Sequence, residues 1–149
     1  MRTETKIELR ELNKSNYRDI LKLKVADNQT GFVATNAISL AQALFHPQAW
    51  YRGIYNDDTP VGFVMLDLDM DKPEYYLWRF MIDEKFQGQG YGLKALELVI
   101  EQVKNLPDST EFLLSYVPEQ GNPKRFYEKL GFMDTGVMEE GEVIMKLEF

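Results

Sequence analysis

Cysteine is absent from the 149 residues, and histidine occurs once, as His46. The first absence excludes a disulfide framework, a thiolate metal site and a cysteine nucleophile together. The second leaves any zinc site or serine–histidine pair resting on one imidazole, so no metal is expected. No stretch approaches the roughly 18 successive apolar residues of a membrane span. The opening MRTETKIELREL lacks the apolar centre of a signal peptide. A soluble, cytoplasmic protein with no membrane contact, folded as one domain over residues 1–149, is the expectation. Basic charge is also short: 17 Lys and Arg stand against 24 Asp and Glu, a formal net charge of −7. Such a chain repels phosphate backbones, so nucleic-acid binding is not expected. Small cations are drawn by the same field, although surface carboxylates serve solubility equally well.

The 44% hydrophobic and 13% aromatic content is enough to fill a core without staples. Ile7 and Leu9 alternate with Glu8 and Arg10, as in a half-buried strand. Tyr17, Ile20, Leu21, Lys24 and Val25 recur at helical spacing, after Asn13 and Ser15 as caps. A break follows from Asp27 to Gly31. Ser39 with Gln42 three residues later reads as a capping box for a short helix closed by Pro47. Strands are expected over Trp50–Tyr55, Val61–Leu68 and Tyr75–Ile82, the first two joined by the turn Asn56-Asp57-Asp58-Thr59-Pro60. Leu93, Leu96, Val99, Ile100 and Val103 mark an amphipathic helix that stops at Asn105-Leu106-Pro107. Phe112–Val117 is a strand, and Lys124–Leu130 a helix with Gly131 at its stop. Phe132–Met138 and Val143–Phe149 close the chain as a hairpin around Glu139-Glu140-Gly141-Glu142. The order β-α-α-β-β-β-α-β-α-β-β is that of a mixed α/β domain.

Chemistry concentrates between the fourth strand and its helix, in Phe86-Gln87-Gly88-Gln89-Gly90-Tyr91-Gly92. Glycines at alternate positions let backbone approach a ligand, and a helix start offers unpaired N–H groups and the positive end of its dipole. A diphosphate suits such a place. The spacing is neither the dinucleotide fingerprint nor a Walker loop, and a glycine-rich packing turn is the plain alternative.

Gln87-x-x-Gly90-x-Gly92 resembles the Q/R-x-x-G-x-G/A loop of the GCN5-related N-acetyltransferases, which in that family cradles the pyrophosphate of acetyl-coenzyme A (acetyl-CoA). Pro123-Lys124-Arg125-Phe126-Tyr127-Glu128-Lys129-Leu130-Gly131-Phe132 resembles the family's second signature, a helix ending in F/L-Y-x-x-x-G-F. The two lie about 35 residues apart with a strand between, as the family topology requires. The resemblance implies a mixed, mostly antiparallel sheet of about seven strands flanked by about four helices. It implies acetyl-CoA as cosubstrate, with Gln87, Gly88, Gln89, Gly90, Tyr91 and Gly92 on the pyrophosphate and the backbone of Phe80, Met81 and Ile82 on the thioester oxygen. Tyr127 takes the position of the acid that protonates the leaving thiolate. Its bland reading is a core tyrosine at the helix–sheet seam. Many relatives are dimers, which makes a homodimer one option, although no segment marks an interface.

Within that family, Phe32 to Ala43 and Leu77 to Asp83 look most like the bacterial spermine/spermidine acetyltransferases, which implies a small cationic amine as acceptor. The mammalian-type diamine enzymes carry a Glu on the fourth strand as base. Here that position is Trp78, so the base does not carry over. The remaining candidates come from the residues. Asn122 stands before a helix, for pantetheine or simply as a cap; Lys124, with Arg125, is placed for coenzyme phosphates or on a solvated face. Tyr76, Trp78 and Phe80 share one face of a regular strand, where they wall an acceptor channel or pack the core. Arg79 then points to the opposite face and is assigned to structure. Asp67, Asp69, Asp71 and Glu74 cluster at a strand end, with Asp69 and Glu74 expected to hold a second ammonium group. His46 reads as a surface or cap histidine. Without a cysteine or an activated serine, direct transfer in a ternary complex is the expected route. Another acceptor, such as an aminoglycoside or a protein amine, and a coenzyme-binding sensor without turnover remain the alternatives.

Overall fold

The structure is a computed structural model that describes residues 6–29 and 34–149. The elements run β1 (Ile7–Arg10), α1 (Tyr17–Leu21), α2 (Asn36–Ala43), β2 (Ala49–Asn56), β3 (Thr59–Asp69), β4 (Glu74–Ile82), α3 (Tyr91–Lys104), β5 (Glu111–Tyr116), α4 (Lys124–Lys129), β6 (Met133–Glu139) and β7 (Glu142–Glu148). The strands form one seven-stranded sheet in the order β1-β2-β3-β4-β5-β7-β6. Every neighbouring pair is antiparallel except β4 and β5, which run parallel. This is the mixed, mostly antiparallel α/β architecture expected from the order of elements.

Helices cover both faces because successive strand side chains point to opposite sides. In α3, Ala95, Leu96, Val99 and Val103 are buried and Ile100 packs beside them; Leu96, Val99, Ile100 and Val103 are the i, i+3, i+4, i+7 stripe of an amphipathic helix. They join Val64, Leu66, Tyr75, Leu77, Phe112 and Leu114 in one apolar layer that also takes Tyr127 and Phe132. On the other face Ile20 of α1 meets Phe63, Met65 and Met81, with Leu40 of α2 packed against them.

Two elements differ from the sequence expectation. Helix α1 ends at Leu21, not at Val25, yet Leu23 and Val25 still pack on the second apolar cluster. Their segment is held by Asp83, whose carboxylate oxygens accept the backbone N–H groups of Lys24 at 2.9 Å and Lys85 at 3.0 Å. Helix α2 opens at Asn36, capped by Thr35, whose hydroxyl accepts from the Ile38 N–H at 3.3 Å. Ser39 is buried inside that helix and donates to the Thr35 carbonyl, so the Ser39–Gln42 capping box does not form. Asn36 decides between the two starts, because its buried side-chain amide donates to the Ile20 carbonyl at 2.8 Å and ties the first turn to α1. Of the expected break, Asp27–Gln29 is a short 3₁₀ turn. Thr30, Gly31, Phe32 and Val33 lie outside the described residues.

Asp83 is 4% exposed, so its loss strands backbone donors that water does not reach. Leaving a buried donor unpaired costs about 1–3 kcal/mol, and about 1 kcal/mol moves Tm by about 2–4 °C at this size. Asp83→Ala is expected to lower Tm by about 4–10 °C in a calorimetric scan.

Candidate active site

The parallel pairing of β4 with β5 stops almost as soon as it starts. Only Tyr76 with Leu113 and Leu77 with Leu114 are in register, and beyond Leu77 the two strands diverge. On the other edge, β3 and β4 shift register between Met65–Arg79 and Leu66–Leu77, so Trp78 is an extra residue, a β-bulge that bends the strand. The bulge also changes which residues share a face. Tyr75 and Leu77 lie in the α3 layer before it, Phe80 and Ile82 lie there after it, and Trp78 and Met81 face α1 and α2. The expected single stripe of Tyr76, Trp78 and Phe80 is therefore broken. Arg79, expected opposite Trp78, reaches the α2 side with it: its guanidinium donates to the Gln42 side-chain carbonyl at 3.2 Å and to the Trp78 carbonyl at 3.0 Å.

The splay leaves a wedge-shaped cavity of about 410 Å³. One wall is β4 from Tyr76 to Ile82, the other is β5 from Leu114 to Tyr116, and Phe126 and Tyr127 of α4 close the inner end. Beyond Leu77 that edge of β4 has no β5 partner, so the backbone groups it presents there, apart from the Ile82 carbonyl that Gln87 occupies, are not taken by a neighbouring strand. Phe126 stacks on Phe80 with ring centroids 6.0 Å apart, which fixes α4 against the wedge.

The glycine loop leads from the mouth of the wedge into α3. Gly88 and Gly90 have φ of +79° and +81°, and a Cβ at either would meet nothing within 4 Å. Both therefore need glycine for backbone conformation, and both front open space. Gly92 differs, because its φ is not positive and a Cβ there would rest at 3.4 Å from Ile82, Phe80 and Phe126. Gly90 is the N-cap of α3 and supplies no side-chain acceptor, so the first N–H groups of a 14-residue helix are left for a ligand. Gln87 anchors the loop: its side-chain amide donates to the Ile82 carbonyl at 2.9 Å and to Gln29 at 2.8 Å. Gln89 is exposed. The Tyr91 side chain turns away, its hydroxyl accepting from Asn56 at 3.0 Å, which leaves its backbone for the loop's role.

Tyr127 lines the wedge and is 8% exposed. Burial pushes its phenol up to about 12, so it stays protonated through neutral pH and holds a proton to donate. Asn122 spends its side chain locally, accepting from the Lys124 N–H at 2.9 Å and donating to the Glu119 carbonyl at 2.8 Å. It thus holds the first N–H of α4 from one residue before the N-cap, Pro123. The Lys124 ammonium lies 3.1 Å from Asp134, and Arg125 is exposed.

The acceptor candidates divide. Tyr76 and Trp78 line the wedge, and the His46 ring meets Trp78 edge-on at 5.1 Å. Asp69 and Glu74 line neither the wedge nor the second cavity described below. Asp69 instead accepts the backbone N–H groups of Asp71 and Lys72, closing the turn into β4, and Glu74 is exposed at the strand start. Asp67 has a buried, unpartnered oxygen and a carboxyl raised chiefly by burial, but it lines neither space. A second cavity, of about 530 Å³, lies beside the wedge, bounded by Tyr76, Ser115, Ile144 and the carboxylates Glu139, Glu140 and Glu142. The sequence reading placed those glutamates in a hairpin turn and gave them no role. No helix among the described residues is long and apolar enough to cross a membrane, and none of the described residues form a metal-binding group of three His, Cys, Asp or Glu.

A splayed parallel strand pair, a glycine loop opening a helix and a buried tyrosine thus meet around one wedge. Residues 8–132 match the family model described as Acetyltransferase (GNAT) family. The chain is 30% identical over 151 aligned positions, covering 95% of it and 98% of the relative, to the spermine/spermidine N(1)-acetyltransferase of Bacillus subtilis strain 168. Among solved structures, the PaiA N-acetyltransferase of Thermoplasma acidophilum in complex with coenzyme A superposes with a TM-score of 0.70 at 17% identity, covering 97% of this chain and 99% of that one. A GNAT family acetyltransferase of Elizabethkingia anophelis with acetyl-CoA bound superposes with a TM-score of 0.68 at 17% identity, covering 97% of each chain. The chain belongs to the GNAT acetyltransferase family and is an N-acetyltransferase.

Proposed function

We propose that the enzyme moves the acetyl group of acetyl-CoA to a primary amine of a polyamine, spermine or spermidine, by direct attack in a ternary complex. The observation that carries the donor half is the wedge, where unpaired β4 backbone lies between the N-terminus of α3 and the Tyr127 hydroxyl. In this reading the diphosphate rests on the N–H groups around Gly90, Tyr91 and Gly92, and the pantetheine runs along the open edge of β4. A backbone N–H from Phe80, Met81 or Ile82 meets the thioester oxygen, where charge grows as the tetrahedral intermediate forms.

The chemistry must dispose of two protons. An alkyl ammonium with a pKa of about 10.4 has no lone pair to attack with, so one proton leaves before the C–N bond forms. The second leaves the nitrogen after attack and balances the thiolate as the C–S bond breaks. The Tyr127 phenol donates its proton to the departing sulfur, and the phenolate left behind takes the nitrogen proton, which restores the phenol. A thiolate whose free thiol titrates at about 8.5 is a weaker base than the phenolate of a phenol pushed up to about 12. Transfer relies on the same low-dielectric surroundings raising the thiolate as they raise the phenol.

The acceptor half is supported by the relative's substrate and by the acidic balance of −7. Thiol release from acetyl-CoA with a panel of amines tests it. Spermine and spermidine are expected to give a kcat/KM about fivefold or more above that of a monoamine of equal length. Added salt is expected to raise KM for the polyamines by screening the distal contact. An aminoglycoside or peptide amine used as well as spermine overturns the acceptor. An absence of thiol release with every amine, together with tight coenzyme binding, reassigns the domain to sensing.

A further inference from the structure

The proposed reaction needs an acceptor for the amine proton, and on β4 the position that would offer a carboxylate is Trp78. Among the described residues lining the wedge, Glu142 is the one carboxylate. It also lines the second cavity, and it does so together with Tyr76 and Ser115, which likewise border both spaces. The two cavities thus meet at a rim of three residues, one of them acidic. Beyond the rim the outer cavity adds Glu139 and Glu140. All three glutamates come from the tight β6–β7 turn, in which Glu139 pairs with Glu142 across the hairpin.

The charge balance at the rim favours an acceptor carrying more than one positive charge. Arg79 is the one cationic side chain lining the wedge, and its guanidinium is held by Gln42 and the Trp78 carbonyl with Nε left buried and unpartnered. Glu142 is the acidic group whose field acts on that guanidinium. Taken together, the linings of the two cavities carry three carboxylates, of which Glu139 and Glu140 are exposed, and one guanidinium, an excess of two negative charges before an acceptor binds. A monoamine leaves that excess half balanced, whereas a diammonium chain balances it. Apolar contact for the methylenes between is supplied by Tyr76 on the shared rim.

We propose that Glu142 receives the reacting ammonium group of the acceptor at the junction of the two cavities, and that Glu139 and Glu140 hold its distal ammonium in the outer one. This deepens the polyamine reading and rests on it. It moves the acceptor path from the β3–β4 turn, where Asp69 and Glu74 lie, to the β6–β7 turn. Glu142 lies at the rim, positioned to orient the amine toward the thioester and to take its first proton as the lone pair is freed.

Steady-state kinetics with spermidine and with an equally long monoamine test the assignment in four proteins: wild type, Glu142→Gln, the double variant Glu139→Gln/Glu140→Gln, and Glu74→Gln. Calorimetric titration of spermidine into the enzyme–CoA complex and a thermal scan accompany each. Glu142→Gln is expected to raise KM about fivefold or more for both amines, with the acetyl-CoA affinity within twofold of wild type. The double variant is expected to raise KM about threefold or more for spermidine and to leave the monoamine within twofold. Weaker spermidine binding in the titration, at an unchanged Tm, reports the same contacts without turnover. Unchanged KM and unchanged spermidine affinity in Glu142→Gln overturn the assignment, and so does a selective loss in Glu74→Gln alone. A wild type that prefers the monoamine removes the polyamine reading instead, and Glu142→Gln then still reports on the reacting amine.

Discussion

Replacing Tyr127 by Phe is expected to lower kcat by about 100-fold or more while leaving the affinity for acetyl-CoA within a few fold. The size follows from the proposed role: a positioned acid is worth about 10²–10⁴ in rate, and in that mechanism the hydroxyl acts on the sulfur only after the coenzyme is seated. The split between kcat and binding separates this role from a structural one. Tyr127 packs edge-on against Phe126 and Phe132, with ring centroids 5.5 and 6.0 Å apart, and Phe preserves both contacts. A core tyrosine would therefore leave kcat unchanged on conversion to Phe. The pH dependence gives a second check. With the phenol pushed up to about 12 by burial, no basic limb of kcat below about pH 11 belongs to Tyr127. The same shift bears on stability. The folded phenol is raised above its ordinary value of 10.0, so its contribution is complete below pH 10 and is lost as pH climbs toward 12. Alkaline destabilisation in that window is expected to be smaller in Tyr127→Phe.

The fold was legible in the sequence wherever burial imposes a period. Leu96, Val99 and Val103 write α3 at helical spacing, and Phe112, Leu114 and Tyr116 write β5 at strand spacing, with each of these six side chains buried. The ends were less legible: the reading from the sequence opened α2 at Ser39, whereas the helix starts at Asn36 behind Thr35, a start held by a long-range bond from Asn36 to Ile20. The bulge at Trp78 left no local sign at all. Alternation of Tyr76, Trp78 and Phe80 is what a regular strand would show, and only the pairing with Met65 and Leu66 reveals the extra residue. That one residue reassigns two neighbours, since Phe80 joins the α3 side and Arg79 comes to the α2 side. The acidic wall of the second cavity was hidden for a related reason. Glu139, Glu140 and Glu142 read as an ordinary charged turn, and their approach to Tyr76 exists only because β7 lies between β5 and β6 in the sheet.

Gly90→Asp is expected to weaken acetyl-CoA binding at least tenfold in a protein that still folds. Three features of the position combine. Its φ of +81° costs an L-residue about 1–2 kcal/mol, and Asp is among the side chains that tolerate that region best, so the fold survives with a drop in Tm of a few degrees. A Cβ at Gly90 meets nothing within 4 Å, so the new carboxylate projects into the open space before α3 rather than into the core. That space is where the proposed diphosphate rests on the unpaired N–H groups of a 14-residue helix, and a fixed negative charge there repels it at close range while itself occupying the helix terminus. Gly90→Ala separates the terms, since it carries the backbone strain without the charge; its Kd is expected to rise less than that of the Asp variant at an equal or lower Tm. Gly92→Ala extends the comparison, because its added Cβ meets Ile82, Phe80 and Phe126 at ordinary contact distance and its effect on Kd is expected to stay within a few fold. Calorimetric titration of acetyl-CoA into the three proteins reads the order directly. Equal affinities in Gly90→Asp and Gly90→Ala would mean that the loop is a packing turn and that the coenzyme's phosphates bind elsewhere.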